Sequence, residues 1–98
     1  MTIQVDKNAS EVQIALEGRL DTSTAPQLEE TLKSALEGAD RLVFDFSALE
    51  YISSAGLRVL LAAQKTMNKQ GKMIIRHVNE TVAEVFEITG FSDILTLE

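Results

Sequence analysis

The sequence predicts an α/β fold: a single domain over residues 1–98, with a mixed, mostly parallel sheet of about five strands in chain order and helices mainly on one face. Three observations carry this reading. Alternating apolar residues near the start give a strand pair, two nearly continuous apolar runs give buried strands, and three apolar stripes at helical spacing fall between or after them.

Ile3 and Val5 alternate with Gln4 and Asp6, and Val12, Ile14 and Leu16 alternate beyond the turn-like Lys7-Asn8-Ala9-Ser10. This reads as a hairpin. The positions between, Gln13, Ala15 and Glu17, are polar or small, which leaves one sheet face lightly covered. Thr24-Ala25-Pro26-Gln27 then supplies a hydroxyl, an early proline and a glutamine in capping-box order, starting a helix over 25–37 that Gly38 ends. Its core stripe is Ala25, Leu28, Leu32, Ala35 and Leu36.

Leu42-Val43-Phe44-Asp45-Phe46 reads as a central strand, followed by a loop over 47–52. A second helix opens in Ser53-Ser54-Ala55-Gly56 and runs to about Lys69, with Val59 and Ala62 on its outer side. Met73–Val78 gives another buried strand. Asn79 caps a third helix bearing Val82, Val85 and Phe86 and closed by Gly90, and Ile94–Leu97 gives a short edge strand. The order is β-β-α-β-α-β-α-β. Right-handed crossovers put the helices on one face and the loops at Asp21 and Ser54 side by side at the carboxyl ends of neighbouring strands.

A net charge of −6 argues against a nucleic-acid partner, which needs an excess of Lys and Arg along one face. Cysteine is absent, so thiolate metal sites and disulfides are excluded. No apolar run approaches the roughly 18 residues of a membrane span, and no leader pattern stands at the start, so the expected setting is cytoplasmic with no membrane partner. His77 is the single histidine, read as a half-buried strand residue without a catalytic partner. No phosphate-cradling glycine loop is present, which leaves nucleotide binding or hydrolysis the weakest reading. No cofactor, metal or enzymatic activity is expected.

The serine pair stands where a loop turns into a helix. Unpaired N–H groups there favour a capping hydroxyl and equally a phosphate, so capping and switching are both open readings. Asp21 is either an Asx-turn former or a recognition residue. Asp45, in an apolar strand, must lie near the strand end, hydrogen-bonded or protonated, and supports the loop that follows.

Three segments resemble the STAS domain of bacterial anti-sigma factor antagonists. Gly18-Arg19-Leu20-Asp21 with Thr24-Ala25 is similar to the family's Gly-x-Leu-Asp and Thr-Ala; Leu42–Ser47 resembles its apolar strand ending in Asp-Leu-Ser; Tyr51–Leu57 resembles its Asp-Ser-Ser/Thr/Ala-Gly-Leu signature. Anchoring on Gly56, the resemblance implies that Ser54 is the phosphorylation site, with Ser53 standing where the family has aspartate. It further implies a module that, unphosphorylated, binds a serine-kinase anti-sigma factor and frees a sigma factor. The kinase then phosphorylates the module with its own ATP and Mg²⁺, and a serine phosphatase resets it. The expected partner surface is Asp21, Thr22, Ser53, Ser54, Gly56, Leu57, Arg58, Val59 and Ala62. The missing aspartate motivates an alternative, a scaffold or sensory-complex subunit that uses the same surface without phosphorylation.

Overall fold

Strands β1 (Thr2–Asn8) and β2 (Glu11–Leu20) pair antiparallel in the computed structural model, which describes residues 1–98. Helix α1 (Ala25–Ala35) leads to β3 (Arg41–Ile52), α2 (Ser54–Gln70) to β4 (Lys72–Arg76), and α3 (Glu80–Thr89) to a 3₁₀ turn at Phe91–Asp93. The sheet has four strands in the order β1-β2-β3-β4, with β2, β3 and β4 mutually parallel. The predicted mixed sheet in chain order is what forms. No helix is long and apolar enough to cross a membrane.

One apolar cluster joins the sheet to all three helices. Val12, Ile14 and Leu16 from β2, Leu42, Phe44 and Phe46 from β3, and Met73 and Ile75 from β4 meet Leu28 and Leu32 of α1, Leu57, Leu60 and Met67 of α2, and Val82 and Phe86 of α3. Alternation along each strand explains the division, since successive side chains point to opposite faces. The other face carries Gln4, Asp6, Gln13, Asp45 and Arg76 around a floor of Ala15 and Val43. It is polar and open, as Gln13 and Ala15 predict.

Four sequence expectations are corrected here. The fifth strand reduces to a single bridge, Ile75 to Leu97, because Gly90 turns left-handed (φ +82) into the 3₁₀ turn and leaves few residues to pair. The loop expected over 47–52 is strand. There β3 continues beside β2 with register shifts that space its buried residues as Phe46, Leu49 and Ile52, and such bulges erase the alternation by which a strand is recognised. At the first helix the expected 25–37 span stops at Ala35, and Gly38 (φ +76) lies in the turn beyond the cap residue Leu36. The capping box is absent: the Thr24 hydroxyl donates to Arg19 O at 2.8 Å and accepts the Asp21 N–H at 2.8 Å, while Gln27 reaches Met1 O at 3.4 Å.

Two details position the site. Gln70 at the end of α2 donates through Nε2 to Leu36 O and Ala39 O at 2.7 and 2.5 Å, fastening α2 to the carboxyl end of α1. The strands also differ in reach. β4 stops opposite Asp45 and β1 stops opposite Glu17, so beyond those points Gly18–Leu20 and Leu49–Ile52 pair with each other alone.

Candidate functional site

That two-strand tip carries the serine pair. Ser53 N–H donates to Leu20 O at 2.9 Å, which fixes the β3–α2 junction against the end of β2 and the loop that begins at Asp21. Ser53 is the N-cap in position and backbone (φ −101, ψ 177), and its carbonyl accepts the Leu57 N–H at 3.0 Å. Its side chain makes no capping bond, and its Oγ is buried without a partner. The expectation of a capping hydroxyl is therefore met in place but not in bonding. Ser54 is the first residue of α2 and is exposed, with its hydroxyl in no hydrogen bond within the chain.

Gly56 explains how α2 starts so close to the sheet. A Cβ there would stand 2.6 Å from Leu20 Cγ and 2.9 Å from Ile52 Cγ1, so only glycine permits this approach. Gly56, Leu57 and Val59 are buried, which corrects their placement on the partner surface: they hold α2 to the sheet and to α1. Val59 is only 5% exposed, because the outer side of α2 expected from sequence faces α1 at that level. Ser54, Arg58 and Ala62 remain on the exposed side of α2.

Across the junction, the Asp21 carboxylate accepts from the Ser23 hydroxyl at 2.8 Å and from the Ser23 and Thr24 N–H groups at 3.0 and 3.2 Å. The Ser23 hydroxyl bond, aided by the two N–H bonds and opposed by partial desolvation, holds Asp21 below the usual carboxylate range. The Asx turn is thus real, and it keeps a negative charge beside α2. Arg19 lies with Nε 4.0 Å from Asp21 Oδ2 and its guanidinium 4.6 Å above the Tyr51 ring. Sequence reasoning missed this stack because Arg19 and Tyr51 are paired only once 47–52 is strand.

A shallow groove of about 250 Å³ runs from here between α1 and α2, lined by Thr22, Pro26 and Glu29 on one side and Ala55, Arg58 and Ala62 on the other. It continues into a larger one of about 590 Å³ past Leu32, Leu36 and Thr66. Of the expected surface residues, Thr22, Arg58, Ala62 and the largely buried Val59 therefore share one groove. No three His, Asp or Glu side chains converge to hold a metal.

Asp45 and His77 are elsewhere, on the open sheet face. Asp45 lies within β3, not ahead of a loop, at the last residue paired with β4, and its Oδ1 meets His77 Nδ1 at 3.0 Å and the Ser47 N–H at 2.9 Å. These bonds, His77 first, keep it ionised by lowering its pKa. His77 is exposed and left-handed (φ +61), directly after β4, in place of the half-buried strand residue expected.

A family model described as "Mlab, STAS domain" matches residues 3–97. The chain belongs to the STAS domain family. Among relatives, BtrV of Bordetella bronchiseptica, provisionally named as an anti-sigma factor antagonist, is 38% identical over 96 residues, covering 96% of this STAS chain and 83% of its own. The anti-sigma-B factor antagonist of Bacillus subtilis is 29% identical over 98 residues, covering 99% of this chain and 90% of its own. Among solved structures, the Bacillus anti-sigma factor antagonist SpoIIAA shares the STAS fold in both its unphosphorylated form (TM-score 0.78) and its phosphorylated form (TM-score 0.77). Both are 20% identical and cover 99% of this chain, with 87% and 91% of their own chains matched.

Proposed function

We propose that this STAS domain is an anti-sigma factor antagonist whose binding is switched by phosphorylation of Ser54. The observation that carries the reading is the exposed, unbonded Ser54 hydroxyl at the first residue of α2, at a junction bonded through Ser53 N–H to Leu20 O just before the ionised Asp21. The relatives named for anti-sigma factor antagonism and the solving of SpoIIAA in both phosphorylation states support it. Unphosphorylated, the protein binds a serine-kinase anti-sigma factor in the cytoplasm through Asp21, Thr22, Ser54, Arg58 and Ala62, with Ser53, Gly56, Leu57 and Val59 shaping that surface from beneath. The kinase moves the γ-phosphoryl group of its ATP to Ser54 Oγ, the hydroxyl proton leaves and ADP is released. A serine phosphatase restores the hydroxyl.

The switch needs no refolding. Phosphate adds roughly −1.5 to −2 charge beside Asp21. A repulsion or desolvation penalty of about 3 kcal/mol on a docked partner lowers affinity roughly a hundredfold. A second reading, a constitutive scaffold on the same surface, is favoured by Ser53 in place of the family aspartate. Intact-mass measurement after incubation with candidate anti-sigma kinases and ATP decides between them. One added phosphate that is lost in Ser54→Ala supports the switch, and tight kinase binding with no mass change supports the scaffold.

A further inference from the structure

Arg58 lies four residues after Ser54 on α2, and both side chains are exposed. Residues at this spacing stand one above the other on a helix surface, with Cβ atoms about 6 Å apart. Arg58 takes part in none of the chain's ion pairs. The other nearby cation, Arg19, is already held over Tyr51 and beside Asp21. The first turn of α2 has no acidic residue, and the one carboxylate lining the groove with Arg58 is Glu29 of α1, which forms no ion pair with it. Arg58 is thus an unclaimed guanidinium on the same helix face as the serine.

We propose that Arg58 is the internal counter-ion of phosphorylated Ser54. The inference rests on Ser54 being the phosphoacceptor and adds what the phosphate does next. An anionic residue placed four positions before a cationic one is the favourable helical order, and the planar guanidinium fork matches two phosphate oxygens where a lysine offers a point charge. Without phosphate, Arg58 is a free cation at the groove, suited to an acidic side chain on the partner. With phosphate, that cation is turned back onto its own helix, and the pair together carry roughly −0.5 to −1 where the partner previously met +1. One modification both adds a repulsive charge and withdraws an attractive one. Aspartate at position 54 would imitate this incompletely, having one charge, a shorter reach and two oxygens.

The test needs no kinase. Phosphoserine is installed at position 54 during translation, and the second ionisation of the phosphate is followed by ³¹P NMR at low salt in the otherwise wild-type chain, in Arg58→Gln and in Arg58→Lys. Capture predicts a midpoint lower by roughly 0.3 pH unit or more with Arg58 in place than in Arg58→Gln, with Arg58→Lys intermediate and the difference shrinking at about 1 M salt. Equal midpoints with Arg58 and in Arg58→Gln overturn the inference. A kinase that leaves Ser54 unmodified would instead overturn the phosphoacceptor reading, and the two failures are seen in separate measurements. Arg58 is exposed, so the substitutions leave the core intact, and unchanged amide spectra away from α2 confirm it.

Discussion

His77 Nδ1 and Asp45 Oδ1 meet at 3.0 Å across the gap that opens where β3 runs on past the end of β4. The left-handed backbone of His77 (φ +61) aims the ring at the carboxylate, so a locally unfavourable conformation is held by this bond together with the neighbouring Asn79 contacts. The bond from His77, then that from the Ser47 N–H, lowers the Asp45 pKa. A lowered folded value means a stabilising contribution present above the unfolded carboxylate pKa of about 3.9 and lost as pH falls through the folded value. With side chains 44% and 65% exposed, solvent screening keeps that contribution small. His77→Asn, which tolerates the left-handed backbone, should raise the Asp45 midpoint toward the ordinary range. A carbon-detected titration of Asp45 showing no movement would count against the bond.

Gly56→Ala tests how tightly α2 is seated. The new methyl meets Leu20 Cγ at 2.6 Å and Ile52 Cγ1 at 2.9 Å, both on side chains fully buried in the core cluster. Forcing the helix outward should cost about 1–3 kcal/mol in urea unfolding. A midpoint equal to the parent's would show that the junction yields freely.

Asn79→Ala should cost about 1–2 kcal/mol. The side chain does two jobs, its Oδ1 accepting the Val82 N–H at 2.8 Å to cap α3 and its Nδ2 donating to Leu49 O at 2.8 Å. Hydrogen exchange distinguishes them: loss of the cap speeds the first amides of α3, and loss of the tie speeds the Leu49 region. Exchange unchanged in both places contradicts the assignment.

Gln64 runs the other way. It is 7% exposed, its Oε1 is buried without a partner, and its one bond, Nε2 to Asn68 Oδ1 at 2.8 Å, is to an exposed residue that water can satisfy. Gln64→Leu keeps the volume and removes the unpaired acceptor, so stability should rise by about 1 kcal/mol. A loss of stability on thermal and urea unfolding would mean that Oε1 has a partner after all.

Legibility from sequence followed the physics of each signal. Leu28, Leu32, Leu57, Leu60, Val82 and Phe86 announce their helices because a 3.6-residue stripe survives any tertiary context, and Asn79 with Gly90 marks α3 at both ends because those bonds are local. The place of the loop at Asp21 beside the serine pair followed from the chain-order sheet, which sets the carboxyl ends of β2 and β3 side by side, and the Ser53 N–H to Leu20 O bond joins those two junctions. What depended on register was lost. Bulges between Ala15 and Glu17 and between Gly18 and Arg19 hid the second half of β3, and with it the Arg19–Tyr51 stack, while the Asp45–His77 contact was hidden by the left-handed turn of His77 just after β4. Val59 was misplaced for a related reason, since a helix that packs on both a sheet and a second helix needs a wider apolar face than one stripe indicates.

The unequal strand lengths divide labour along a single strand. Residues 41–45 of β3 have a strand on both edges, while Leu49–Ile52 have one on a single edge, Gly18–Leu20, and are held otherwise by burial of Leu49 and Ile52 in the core and by the Asn79 bond to Leu49 O. Ser54 lies just beyond the half of β3 that has a single strand neighbour. The proposed docking and modification of Ser54 would thus act where the sheet is narrowest, away from the half of the strand that is paired on both edges.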